Sequence, residues 1–320
     1  MTNLQKPPFP RVIDSTIRAE FVECPRKFYW SFIRKLGPLT PSTDLHAGGA
    51  YARGHEVIRK AYYVEKLPFP QALEKGVLAA VEYWGDFEPP ANKQAKNLER
   101  VLGALVYFYD QWPVNRDYLK PHQWSGGAGI EFTFSLPMEL RHPQTDEPLI
   151  YAGRCDMIAE YQNQVWVYDD KTTTQLGPSW AEKWNLRGQF SGYAYAARQF
   201  GLPVAGAIIR GVSFLKNSYG HAEAITTRPE WLIDRWWEQL HRDVERAIYA
   251  WQEGYYDYNF SDACVGYSGC PFSKLCLVPD PEPWIEGSYG HRDWDPLAKD
   301  PVATPSDGPG ILEVIPLPHQ

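Results

Sequence analysis

Two aspartates and a lysine are spaced for chemistry in this chain: Asp156 in Gly153-Arg154-Cys155-Asp156, and Asp169 with Lys171 in Val165-Trp166-Val167-Tyr168-Asp169-Asp170-Lys171-Thr172. Both runs are β-prone and a polar stretch separates them, which predicts an antiparallel hairpin. With Gln162-Asn163 as the loop, Tyr161 faces Gln164 and Asp156 falls opposite Asp169. A side-chain period of two puts Lys171 on the face of Asp169 and turns Asp170 away. Carboxylates opposed across a ladder repel by ~0.2–1 kcal/mol unless a cation lies between them. Mg²⁺ or Mn²⁺ suits that place, since such hard ions take carboxylate oxygens and keep several waters, one of which a neighbouring lysine orients or deprotonates. The chemistry this describes is phosphodiester hydrolysis. An Asp-x-Lys tripeptide alone usually marks a solvated strand; the opposed Asp156 and the preceding Gly153 set this one apart.

The elements that must hold these groups follow from periodicity. Ile17 to Ile33 has helical apolar spacing, interrupted at Cys24-Pro25. Tyr51–Val64, Pro70–Tyr83 and Ala91–Trp112 predict three more helices, and Ile130–Leu136 alternates as a strand. Ser179 with Glu182 forms a capping-box signature for a helix running to about Phe200. Ala205–Leu215 and Ala222–Thr227 predict strands, and Pro229–Glu253 a long helix opened by proline. No internal repeat is present. The pattern predicts an α/β protein: a mixed central sheet with flanking helices, as one domain over residues 1–278 with a helical insertion at about 51–125.

With 320 residues, 44% hydrophobic and 15% aromatic, the chain can bury a sizeable core. No apolar run reaches membrane-spanning length, and the N-terminus lacks a secretion-signal profile, so a soluble intracellular protein is expected. The net charge of −7 sits uneasily with a nucleic-acid partner. Its distribution weakens the objection. From Pro279 onward eight acidic residues face only Arg292 and Lys299, which leaves Met1–Val278 near neutrality. That tail holds nine of the 28 prolines, and residues 279–320 are expected to be irregular or disordered.

The Gly153-x-x-Asp156 and Asp169-x-Lys171-Thr172 pair resembles the RecB-like branch of the PD-(D/E)xK nuclease superfamily, in which a Gly-x-x-Asp strand precedes an Asp-x-Lys strand. Further residues match in order. His55 in Gly54-His55-Glu56 resembles the helix histidine that ligates the metal in that branch, and Gln189-Phe190-Ser191-Gly192-Tyr193 fits its Q-x-x-x-Y helix, whose i,i+4 spacing puts Gln189 and Tyr193 on one face toward substrate. Cys24 together with Cys264, Cys270 and Cys276 resembles the iron–sulfur staple of AddB-type and CRISPR-associated adaptation nucleases, although the gap between Cys264 and Cys270 is longer than the two residues common there. The resemblance extends from Ile17 to Cys276, with the cluster-binding ends at 17–35 and 254–278.

The resemblance implies a restriction-endonuclease-like core and a metal site of His55, Asp156, Asp169 and the backbone carbonyl of Asp170. Glu131 is either a further carboxylate at that site or an exposed strand glutamate. Four thiolates suit a structural [4Fe-4S] cluster, with zinc as the alternative; disulfides are not expected in an intracellular chain. Cys155 alternates away from Asp156 and reads as a buried apolar residue. Most of the 13 tryptophans read as packing, although Arg26-Lys27 and aromatic rings also suit a single-strand groove. The expected activity is a Mg²⁺- or Mn²⁺-dependent deoxyribonuclease, an exonuclease on single-stranded or end-containing DNA in repair, phage DNA metabolism or CRISPR adaptation. The alternative is a catalytically silent DNA-binding or assembly subunit of the same fold.

Overall fold

The structure, a computed structural model, describes residues 6–40, 42–124, 127–215, 217–265 and 269–297. The chain opens with β1 (Val12–Ile13) and α1 (Ser15–Glu23), which Asp14 caps by accepting the Ile17 N–H at 2.7 Å. Cys24-Pro25 breaks the predicted first helix, and the chain continues through α2 (Pro25–Phe28), a π-turn (Tyr29–Ile33) and β2 (Leu36–Pro38). A helical group follows: α3 (Thr43–Arg59), α4 (Phe69–Trp84) and α5 (Leu98–Gln111). Short strands β3 (Lys120–Pro121), β4 (Gln123–Trp124) and β5 (Gly127–Ala128) lead into three long ones, β6 (Ile130–Arg141), β7 (Pro148–Tyr161) and β8 (Gln164–Thr173). Helices α6 (Pro178–Glu182) and α7 (Gly188–Gln199), strands β9 (Val204–Phe214) and β10 (Tyr219–Thr227), and α8 (Glu230–Glu253) come next. The last elements are α9 (Ser273–Cys276), α10 (Glu282–Ser288) and β11 (Tyr289–His291).

The main sheet runs β1-β7-β8-β9-β10, with β3 and β6 also paired to β7. It is mixed, because β7 and β8 are antiparallel while β8 and β9 are parallel. One face packs on α1, α7 and α8 through Phe134, Tyr151, Phe190, Ile233 and Leu240; the other meets α3, α4 and α5 at Val212 and Phe214. This is the α/β architecture expected from the sequence, with the helical group as one outer layer. No helix among the described residues is long and apolar enough to cross a membrane.

Local signals explain the boundaries. Gln162 and Asn163 both take positive φ, 50° and 60°, the left-handed pair that a two-residue hairpin turn requires. Helix α8 closes at Gly254 with φ 69°, where a side chain would be strained. The predicted helix from Ser179 to Phe200 is two helices, and Gly177 rather than Ser179 stands at the first N-cap. The break falls at Asn185-Leu186-Arg187, where exposed residues give no apolar stripe to continue.

The folded part does not end near Val278 as expected. Trp284, Ile285, Tyr289 and Trp294 supply apolar anchors between the prolines. Ile285 and Tyr289 join Trp30, Leu36, Phe272 and Leu275 in a separate small core. β11 pairs antiparallel with β2, and the Trp294 indole donates to Asp14 Oδ2 at 3.1 Å. Residues 298–320 of the predicted irregular tail lie outside the described residues.

Candidate active site

The hairpin keeps its predicted register from Tyr161↔Gln164 to Met157↔Tyr168, and the ladder ends there, one pair short of the two aspartates. Beyond that point β8 pairs with β9, Asp169 lying against Ile209, while β7 stays with β6. The strands part where their carboxylates begin. Asp156 Oδ2 accepts the backbone N–H of Asp170 at 2.8 Å across the gap.

Simple alternation does not describe β7 here. Cys155 and Ile158, three positions apart, both enter the core beneath α7, whereas Met157 packs with Tyr168 in a separate cluster. The period slips by one at Asp156, and on β6 the facing Glu131 adopts φ 55° while its neighbours pair normally as Ile130↔Met157 and Phe132↔Cys155. Asp156 therefore turns toward α3, into a pocket of about 120 Å³ that Arg53, Glu56, Glu131 and Arg154 also line. The expected direct opposition of Asp156 and Asp169 on one face is replaced by this offset, because the bulge re-aims one side chain.

Asp169 and Lys171 share the other face and contact each other. Gln189 on α7 donates to Asp169 Oδ1 at 3.3 Å and to the Tyr193 hydroxyl at 2.9 Å, so the i,i+4 pair forms one hydrogen-bonded unit with the aspartate. Tyr193 is only 6% exposed and packs against Gly153, where a Cβ would come within 3.2 Å of its ring and 2.8 Å of Phe134. The glycine of Gly-x-x-Asp thus makes room for the aromatic pair. Gln189 is half-buried and lines a groove, whereas Tyr193 is buried.

Asp170 faces α3, where Arg59 pairs with it at 2.6 Å and Tyr168 donates to it at 2.5 Å. Burial opposes its charge, but Arg59 prevails and holds the carboxyl at about 2. His55 is 1% exposed among Tyr51, Phe108 and Tyr109. Its Nδ1 lies 3.0 Å from the Tyr109 hydroxyl, Nε2 has no hydrogen-bond partner, and burial lowers its pKa to about 3, so the ring is neutral. The helix residue in the Asp156 pocket is Glu56, which sequence reasoning passed over. Its signal was present: Gly49, Ala52, Arg53 and Glu56 recur on one helical face. Burial works against the Glu56 charge, but Lys60 at 2.7 Å and Arg53 at 2.9 Å keep its pKa below the ordinary value.

The other acids are pushed the opposite way. Burial, then repulsion by Asp156, raises Glu131 to about 8 against the pull of Arg154 at 3.1 Å. Asp169 is raised to about 7 by burial and by Asp156 despite Lys171, and Asp156 is raised by burial and by Asp170. Lys171 resists its own burial because Asp169 and Asp156 favour its charge. Raised carboxylates on three strands mark a site short of positive charge. The donor set of carboxylate oxygens suits a hard divalent cation such as Mg²⁺ or Mn²⁺. Among the described residues no three of His, Cys, Asp or Glu converge on a point that could hold a metal ion, and Asp169 and Glu131 are turned toward Lys171 and Arg154.

The four predicted cluster cysteines come from both ends of the chain to one corner. Cys24 is buried at the junction of α1 and α2; Cys264 is exposed, and Cys270 and Cys276 are half-buried beside Phe272, Leu275 and Trp30. All are free thiols. Burial raises the Cys276 thiol, with Cys24 and Cys264 adding to the shift, and burial raises Cys270, with Cys264 and Cys276 adding to it. Four cysteines gathered at one corner make a soft donor set suited to iron–sulfur or zinc, although among the described residues no three of them converge as ligands. Cys155 lies apart, fully buried, with its thiol donating to the Met157 and Tyr168 carbonyls, as expected of a core residue.

The model of the PD-(D/E)XK nuclease superfamily matches residues 16–277. No curated protein matches the sequence. Among solved structures, a candidate exonuclease from Eubacterium rectale is similar at 12% identity, covering 84% of this chain and 93% of that one, with a TM-score of 0.45. A protein described as SSO0001 is similar at 13% identity, covering 85% and 87%, with a TM-score of 0.34. The family match, spanning most of the chain, carries the assignment.

Proposed function

This chain belongs to the PD-(D/E)XK nuclease superfamily, and from that premise we propose that it is a divalent-metal-dependent deoxyribonuclease acting on single strands or strand ends. The carrying observation is the set of Asp156, Asp169 and Lys171 at the parting of β7 and β8, with Gln189 joined to Asp169. Asp156, Asp169 and the Asp170 backbone carbonyl would hold Mg²⁺ or Mn²⁺, with Glu56 and Glu131 at its border and the unpartnered Nε2 of His55 as the nitrogen donor. When bound, the metal supplies Lewis-acid stabilisation and a more acidic water.

The chain's own residues do the remainder. Lys171, kept charged by its acidic neighbours, holds the attacking water and balances charge as the five-coordinate phosphate forms. Gln189 fixes the Asp169 carboxylate with its amide nitrogen, which leaves its amide oxygen to face the strand. Arg59 and Tyr168 clamp Asp170, which fixes the backbone whose N–H orients Asp156. A [4Fe-4S] cluster on Cys24, Cys264, Cys270 and Cys276 would tie the chain ends beside this core, with zinc as the alternative. Its role would be structural.

End-labelled linear and circular DNA, single- and double-stranded, incubated with Mn²⁺, Mg²⁺ or chelator test the reading. Metal-dependent loss of linear substrate with circles intact is the expected result. Cut circles would make the enzyme an endonuclease. Binding without product under every metal would leave a non-enzymatic subunit, and full activity in Asp169→Ala would overturn the site assignment.

A further inference from the structure

A groove adjoins Gln189, at the start of α7. The groove there, about 660 Å³, runs between α1 and the α6–α7 connection and includes Arg18, Lys183, Arg187, Gly188, Gln189 and Trp236. At its floor is Gly188, the first residue of a twelve-residue helix whose N-cap, Arg187, gives no side-chain capping bond. Among the described residues no acceptor meets the backbone N–H of Gly188 or Gln189. Such first-turn N–H groups carry the positive end of the helix dipole.

Side chains converge on the same spot. A Cβ at Gly188 would lie 2.8 Å from Arg18 Nη1 and 3.0 Å from the indole nitrogen of Trp236. Trp236 is 8% exposed, and among the described residues its indole N–H has no acceptor; Arg18 Nε is likewise buried without one. A buried donor without an acceptor is costly, so the unpartnered Trp236 indole N–H, with Arg18 Nη1 beside it against Gly188, marks a cradle with a donor in want of an oxygen atom. Arg18 is partly neutralised by Asp243 at 2.8 Å. Lys183 and Arg187 at the rim form no ion pair among the described residues, and burial together with the charges of Arg187 and Lys171 disfavours the Lys183 ammonium. The acids on the groove, Glu20 and Glu23, lie with Lys27, and Ser31 donates to Glu20.

We infer that this cradle binds one phosphate of the substrate strand, held by the Gly188 and Gln189 N–H groups, the Trp236 indole and Arg18, with Lys183 and Arg187 attracting it from the rim. This rests on the nuclease reading for the identity of the strand. The position, next to the residue that holds Asp169, makes the site a register stop: a phosphate seated here sets which bond reaches the Asp169–Lys171 pair. The phosphate is either an internal diester or a terminal monoester.

Anisotropy titrations in chelator, where nothing is cut, test it with 5′-phosphorylated, 5′-hydroxyl and singly methylphosphonate-substituted oligodeoxynucleotides. Trp236→Phe keeps the ring and removes the donor; Gly188→Ala fills the cradle and favours the helix. Each is expected to weaken binding by roughly tenfold, the worth of one hydrogen bond to a charged group. Loss of the same factor on removing the 5′-phosphate, with no further loss in Trp236→Phe, identifies the monoester. Loss at one methylphosphonate position identifies the diester. Unchanged affinity in both variants overturns the cradle. Inorganic phosphate provides an independent arm: it should raise the melting temperature of the wild type and not of Trp236→Phe. No rise in the wild type overturns the proposal whether or not DNA is cleaved. A rise confined to the wild type in a protein that cuts no DNA keeps the anion site and removes the nuclease reading.

Discussion

Asp156 is joined to Asp170 by a side-chain-to-backbone hydrogen bond of 2.8 Å, made where β7 and β8 cease to pair. One aspartate of the hairpin thereby fixes the backbone between the other two proposed catalytic positions, Asp169 and Lys171. The consequences separate residues that act on substrate from residues that hold the site's shape.

Asp169→Ala and Lys171→Ala should both lose cleavage while folding normally. The lysine loss should be about 10²–10⁴-fold, the range for removing a positioned proton-handling group. Steady-state cleavage of linear DNA, with circular dichroism as the folding control, checks this.

Asp170→Ala should behave differently. Removing it leaves Arg59 buried and unpaired, at a cost of about 3–5 kcal/mol. Urea denaturation should show the loss directly. Because the Asp170 carboxyl is held at about 2, below the ordinary 3.8, its contribution is complete above about pH 4 and lost as pH falls through about 2.

The metal-free protein should lose stability as pH rises. Asp169 and Glu131 have folded-state values of about 7 and 8 against ordinary values of 3.8 and 4.5, so both favour the fold while protonated and burden it once ionised. Melting temperature in chelator should fall between about pH 4 and pH 8. At pH 8.5 Asp169→Asn should melt above wild type by about 2–4 °C, the usual effect of ~1 kcal/mol. Added Mn²⁺ should restore the wild type, and a flat pH profile would contradict the crowding of these acids.

Anaerobic purification should give a coloured protein containing iron and sulfide, and Cys276→Ser should lose both along with thermal stability. Zinc in a colourless protein would move the four thiols to the alternative site type.

The hairpin, its two-residue turn and the long helix α8 were legible because period and turn chemistry agree over their whole length. The shared face of Asp169 and Lys171 was legible for the same reason, whereas the Gln189–Tyr193 pair was read from the Q-x-x-x-Y resemblance and its i,i+4 spacing. The tilt of Asp156 was not, since a slip of one residue opposite a left-handed Glu131 leaves no mark in an alternating pattern. Glu56 was hidden beside His55: on a helix one step turns a side chain by about a quarter circle, and the motif named the neighbour. The segment 279–297 was misjudged because its prolines outweighed four separate aromatic or aliphatic anchors that only a tertiary partner makes useful.

The pairing of β2 with β11 joins residues 36–38 to 289–291. Closing so long a loop has a large entropic cost that only late contacts repay, and such distant pairings form slowly. The Asp156–Gln189 region draws only on the sheet, α3 and α7, all of which precede Tyr289 in the chain, so its parts are available while the cysteine corner still waits for its final strand. A chain ending before Tyr289 would hold the complete β7–β8 hairpin and lack the strand that pairs with β2. The short β11 strand thus acts as a latch, closed after the core it fastens has its parts in hand.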